Sequence, residues 1–258
     1  MKAGLSTLYL ITSSSEVFVR DLEKYGADCK IWELVDDGML SISKNIKMLK
    51  KLQRFHSFEY LVHGPFSDLN IASLRSEVRD LSIEIIKRSI LDAVELEAKR
   101  FILHPGFYNV FHFEDAKSMN LKSISKIAEY AEKVGVSLTI ENMPKTHPAI
   151  LCNVSDFKDF FDNIDHKSLG LTLDFGHANL IGEIESFIKE FKDRLNHFHV
   201  HNNNGNFDSH MSIEEGTIIW DKLIEQVKSI GYRDYLTVES TKKPFESYLS
   251  FKSLCSLA

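Results

Sequence analysis

The chain has 258 residues, of which 43% are hydrophobic and 26% charged, and its formal net charge is -6. This is the composition of a folded soluble domain rather than a disordered or collagen-like chain, and the acidic balance gives no global pull toward nucleic acid. No run of about 18 apolar residues is present, so no membrane span is expected.

Taken in chain order, short apolar runs that end in polar residues recur eight times, at 5–11, 27–34, 60–63, 100–104, 136–141, 169–174, 195–201 and 235–239. They read as strands. Longer stretches between them follow helical periodicity, among them 41–55, 81–98, 121–134, 184–191 and 220–229. Ser13, Ser14 and Ser15 can cap the first helix. Gly26, Gly135 and Gly231 follow helices and precede strands, where a left-handed cap is expected. Strands alternating with helices argue for a parallel sheet. Eight such units in a chain close to the roughly 250 residues of one (β/α)8 barrel argue for that closed form. No linker-like or low-complexity segment interrupts the pattern, so residues 1–258 are expected to form a single TIM-barrel domain.

Cys29, Cys152 and Cys255 are far apart and form no CxxC pair, as expected of reduced thiols in a cytosolic protein. No basic segment followed by an apolar one opens the chain, so no secretory signal is expected and a cytoplasmic location is.

The chemistry lies where the strands stop. The third ends in His63 before Gly64-Pro65-Phe66, and the fourth in His104 before Pro105-Gly106. The fifth ends in Glu141, and the sixth in Asp174 with His177 three residues on. The seventh carries His197, His199 and His201, which alternation points inward at successive heights. Asp208 and His210 follow, and the eighth strand ends in Glu239. In a closed barrel these positions share one rim, onto which all the strand-to-helix loops open. His, Asp and Glu are the side chains that zinc, manganese and similar ions take as ligands. Taken singly, a strand-end histidine is usually structural and a strand-end carboxylate is often a helix cap. His56, His112, His147 and His166 take that reading, and His197 reads as a hydrogen-bonded core residue. Ligand types ending every strand from the third to the eighth point instead to a metal site.

Other chemistries find no support. There is no P-loop, no Rossmann glycine pattern and no GxSxG elbow. The basic run 47–54 and the apolar stripe 83–96 read as a solvated helix face and as helix-to-barrel packing.

The segments HGPFSDLN (63–70), ILHPG (102–106), TIENMP (139–144), LDFGHA (173–178), HFHVHNNNGNFDSH (197–210) and TVES (237–240) carry a family resemblance. Together, in this order, they resemble the xylose isomerase-like barrel superfamily. It includes sugar-phosphate isomerase/epimerase-type proteins and the endonuclease IV family of abasic-site enzymes (AP endonuclease family 2). Resemblance to the first branch implies one divalent metal held by Glu141, Asp174, His199 and Glu239. It further implies that Glu141 and Glu239 act as acid and base around a metal-stabilised enediolate, and that His177 and His201 contact substrate. The expected substrate is a small sugar, sugar phosphate or related polyol carbonyl. Resemblance to the second branch implies a three-zinc phosphodiesterase, whose additional ligands would be His63, His104, His177, Asp208 and His210.

The departures favour the first branch. The region after strand seven reads His201-Asn202-Asn203-Asn204, where the nuclease motif has Asn-Asp-Ser-Lys, and Asp208-Ser209-His210 lacks that family's arginine. Asn202 stands where relatives of both branches often carry Asp. Near these motifs only Lys145, Lys242 and Lys243 offer positive charge for phosphates, so a nucleic-acid partner is less favoured. Phe66 fits a sugar-pocket wall or a wedge into DNA. Trp32, Phe107, Tyr108 and Phe111 are the other expected specificity residues. Zinc and manganese are the expected metals, with cobalt and magnesium open, although multiple histidines disfavour magnesium.

Overall fold

The computed structural model describes residues 1–108, 111–146 and 148–257, so His147 lies outside the described residues. The strands are β1 (Lys2–Ser6), β2 (Ile31–Val35), β3 (Glu59–His63), β4 (Phe101–Leu103), β5 (Leu138–Glu141), β6 (Gly170–Asp174), β7 (Leu195–Val200) and β8 (Tyr235–Val238). Each pairs in parallel with its sequence neighbours, and β8 closes on β1, giving a closed barrel. The helices around it are α1 (Ser15–Tyr25), α2 (Ile42–His56), α3 (Ser76–Glu95), α4 (Phe113–Val134), α5 (Val154–Asn163), α6 (Phe175–Asn179), α7 (Ile184–Glu190), α8 (Trp220–Ser229) and α9 (Pro244–Leu257). This is the (β/α)8 TIM barrel expected from the alternating pattern. Among the described residues no helix is long and apolar enough to cross a membrane.

Helices α2 and α3 bury one stripe each. In α2, Ile42, Asn45, Leu49 and Leu52 face the barrel, while Lys47, Lys51 and Arg54 are exposed and Lys50 pairs with Glu95 at 2.7 Å. In α3, the stripe Ile83, Ile86, Ile90 and Ala93 is buried. Both segments behave as their periodicity predicted. Ser14 caps α1 by accepting from the Val17 amide.

Three local expectations are corrected. The first strand ends at Ser6, not residue 11. The Ser6 hydroxyl accepts from the Leu8 amide and the Thr7 hydroxyl from the Val35 amide, which turns 7–10 into a 3-10 helix. Gly135 and Gly231 are left-handed as expected (φ 78° and 81°), but Gly26 is not, at φ -63°. Gly26 is a close-approach glycine, because a Cβ there would lie 2.7 Å from Nδ1 of His56. Trp32 is not a pocket residue. Alternation turns it outward from the barrel, where it is fully buried against Phe58 and donates its indole N–H to the Cys29 carbonyl.

The loop after β2 shows how the rim is braced. Asp36 accepts from the Ile42 amide (2.7 Å) and from the Ser89 hydroxyl (2.5 Å). It thereby caps α2, whose own N-cap residue Ser41 makes no side-chain bond to it, and ties α2 to α3. Burial pushes its carboxyl pKa up despite these bonds. Asp36→Ala should therefore cost about 1–3 kcal/mol, seen as a lower urea midpoint at constant m. Asp36→Asn, which keeps an acceptor for Ile42, should cost less; equal stability of the Ala variant and the parent would contradict the capping role.

Candidate metal centre

Side-chain alternation divides the barrel interior into levels. Inside the barrel, Leu61, Ile102 and Tyr235 form a small apolar cluster with Ile31. Glu33, Thr139, Thr172, His197 and Thr237 are fully buried beside it. The next inward positions, toward the C-terminal strand ends, are His63, Glu141, Asp174, His199 and Glu239, all nearly inaccessible. Parallel pairing sets Asp174 opposite His199, and β8 delivers Glu239 just past its last paired residue.

Glu141, Asp174, His199 and Glu239 each place one ligand atom within 4.8 Å of the others'. His199 Nδ1 lies 3.1 Å from Glu141 Oε1, 3.4 Å from Glu239 Oε2 and 3.8 Å from Asp174 Oδ2. Two atoms each about 2.1 Å from a common ion are separated by roughly 3–3.5 Å, so the spacing suits shared coordination. Glu141 Oε2 and His199 Nδ1 are buried without a hydrogen bond. Unpaired buried groups of this kind cost about 1–3 kcal/mol each, and a divalent cation would satisfy them. The mixed imidazole and carboxylate donors fit zinc, manganese or cobalt.

Two further clusters flank this one. His63 Nε2 and His104 Nε2 are 3.1 Å apart and lie 3.4 and 3.2 Å from Glu141 Oε2. On the other side, His177, His201, Asp208 and His210 converge. Asp208 Oδ2 sits 3.2 Å from His177 Nε2 and 3.4 Å from His210 Nε2, and the His201 and His210 rings stack at 3.9 Å. Asp174 joins the centre to this outer group, since its Oδ1 accepts from the His177 amide (2.7 Å) and lies 3.1 Å from His201 Nε2. It is thus also the helix cap that a lone strand-end carboxylate suggests, placed at the start of α6. Phe66 is half-buried at the edge, with ring centroids 5.4 Å from His63 and 5.1 Å from His104. Its loop is held by Asp37, which accepts from the amides of Phe66 and Ser67.

The charges are strongly biased. Burial would raise Glu141, but the fields of His199 and His104 carry it well below the usual carboxylate range. Glu239 moves the other way, because burial outweighs the attraction of His199. Burial opposes protonation of His177 and His210, yet Asp174 and Asp208 lift His177 to about 10, and Asp208 lifts His210 to about 9. His197 is pushed down to about 4 by burial.

The structure therefore brings together every rim residue singled out from sequence. His56 stacks on Phe58, His112 sits 3.4 Å from Asp115, and His166 hydrogen-bonds Ser125, all away from the centre. Lys145, Lys242 and Lys243 are exposed. Asn202 is a loop brace: its oxygen accepts from the Asn203 and Ile218 amides, and its NH2 donates to the Ile213 and Ile218 carbonyls. A carboxylate could not make the last two bonds, which accounts for the amide here. Glu33 was missed from sequence. It lies mid-strand rather than at a strand end, yet a charged residue between Trp32 and Leu34 must point into the barrel and find partners there. That signal would have found it.

The comparisons with known proteins agree with this geometry. Residues 19–252 match the family model described as xylose isomerase-like TIM barrel. An uncharacterized protein of Methanocaldococcus jannaschii is 34% identical over 247 residues, covering 93% of this chain and 84% of its own. A D-tagatose 3-epimerase-like protein superposes with TM-score 0.92 at 32% identity, covering 100% of this chain and 98% of its own. Fructoselysine 3-epimerase of Shigella flexneri is 25% identical over 252 residues, covering 93% of this chain and 90% of its own. With the barrel closed and its C-terminal rim lined by these ligand types, the chain belongs to the xylose isomerase-like TIM barrel family.

Proposed function

We propose that this protein is a divalent-metal-dependent epimerase or isomerase of a small carbohydrate carbonyl compound. One observation carries the reading. Two buried carboxylates, Glu141 and Glu239, converge on one centre from β5 and β8. Such a pair is suited to taking a proton and giving one back. A cation held by Glu141, Asp174, His199 and Glu239 would supply Lewis-acid polarisation of the substrate carbonyl. Glu141, ionised, removes the proton from the carbon beside that carbonyl. Glu239, the more readily protonated, returns one: to the opposite face for an epimer, or to the neighbouring carbon for an aldose–ketose shift. His177 and His201 orient substrate oxygens, and Phe66 walls the pocket. The 3-epimerase names of relatives support the epimerase form.

The test is incubation with ketoses, their phosphates and their amine adducts in D2O, with zinc, manganese or cobalt supplied. Deuterium entering the carbon next to the carbonyl is the expected result. No exchange in any of them would remove the reading. The flanking clusters around His63 and Asp208 support a second reading, phosphodiester hydrolysis at a three-metal centre. Three bound zincs per chain together with cleavage of an abasic duplex would establish it in place of the first.

A further inference from the structure

Beneath the rim, Glu33 on β2 and His197 on β7 are fully buried. They come from segments 164 residues apart in sequence. Glu33 Oε2 lies 2.8 Å from His197 Nε2, and Glu33 Oε1 lies 3.0 Å from His199 Nε2. His199 thus meets carboxylates at both ends: its Nε2 faces Glu33, and its Nδ1 faces Glu141, Asp174 and Glu239. Both faces cannot serve one ion. An imidazole that binds a metal through one nitrogen carries its proton on the other and gives it to an acceptor.

We propose that Glu33 is a positioning residue for the metal centre. It accepts the Nε2–H of His199, fixes the tautomer that turns the Nδ1 lone pair to the ion, and is itself oriented by the Nε2–H of His197. The proposal rests on the metal-site reading above, but not on the substrate. Glu33 meets the candidate centre through His199, whose other nitrogen faces Glu141. Its interior position also explains why a carboxylate is kept where a barrel ordinarily packs branched apolar residues. A buried carboxylate without partners would be strongly unfavourable; His197 hydrogen-bonds one oxygen of Glu33, and His199 Nε2 lies 3.0 Å from the other.

The test compares the full-length protein with Glu33→Leu and Glu33→Gln. Cobalt(II) is titrated against a competing chelator, and the visible spectrum of the cobalt form is recorded. Leu removes the acceptor, so affinity should fall about 10–100-fold with an altered cobalt spectrum. Gln keeps a weaker, neutral acceptor, so the loss should be smaller. Thermal unfolding of the metal-free variants separates this from general damage, which would lower the melting temperature but leave cobalt affinity and spectrum unchanged in folded protein. If the Leu variant does not fold, the Gln variant decides. Unchanged affinity and spectrum in a folded variant would overturn the proposal. Nitrogen-15 NMR of the metal-free parent tests it without metal: a proton on His199 Nε2, bonded to Glu33, is expected. Its absence from Nε2 also overturns the proposal. A parent that binds no cobalt but shows this proton would instead remove the metal reading and leave Glu33 as the partner that sets the His199 tautomer.

Discussion

Replacing Glu141 or Glu239 by Gln should lower carbohydrate turnover by about 10²–10⁴-fold at saturating metal, the range for loss of a positioned acid or base. Gln preserves size and one acceptor oxygen, so the change isolates charge and proton transfer. The two variants should differ in kind. On the proposed mechanism, Glu141 in Glu239→Gln still stands on one side of the substrate carbon. It should continue to exchange that hydrogen with solvent deuterium while inversion stops. Glu141→Gln should lose exchange from that face, and it should also bind metal more weakly. Glu141 lies against His63, His104, His177 and His199 at 3.1–3.6 Å, whereas Glu239 shares His199. Metal content must therefore be measured alongside rate. Substantial turnover in both variants with metal bound would overturn the acid–base assignment.

The largest structural effect is expected at Gly176. A Cβ there would lie 1.9 Å from Cε1 of His201 and within 2.5 Å of both ring nitrogens. His201 cannot swing aside freely. It is fully buried, stacked on His210 at 3.9 Å, and 3.1 Å from Asp174. Either the ring or α6 must move, and α6 is the element that Asp174 caps and that carries His177. Overpacking of this kind costs typically about 1–3 kcal/mol and sometimes more. Gly176→Ala should therefore unfold at markedly lower denaturant and, through the displaced Asp174, bind metal more weakly. Gly182→Ala is the control. Gly182 has φ 68° and open space around its missing Cβ, so only the left-handed backbone penalty of about 1–2 kcal/mol applies, with metal binding unchanged. Wild-type stability and metal content in Gly176→Ala would show that the ring yields without consequence.

Periodicity in the sequence was enough for the barrel, because apolar strand runs and helical stripes are local and alternate along the whole chain. It was enough as well to place the candidate ligands on one rim. His63, His104, Glu141, Asp174 and Glu239 stand where apolar runs stop, and in a closed parallel barrel all such points face one opening. What local pattern could not decide is which interior residues meet across that closure. Glu33 and His197 become partners only because β2 and β7 face the same enclosed volume. His201 and Gly176 interlock because the β6–β7 pairing sets Asp174 opposite His199, and each lies two residues further on. Trp32 looked like a pocket aromatic until strand phase turned it outward. Gly26 looked like a left-handed cap until the packing of His56 gave another reason for a missing side chain. In each case the deciding quantity is a distance between atoms far apart in the chain. Closing the barrel sets that distance, and the spacing of residues along the sequence does not contain it.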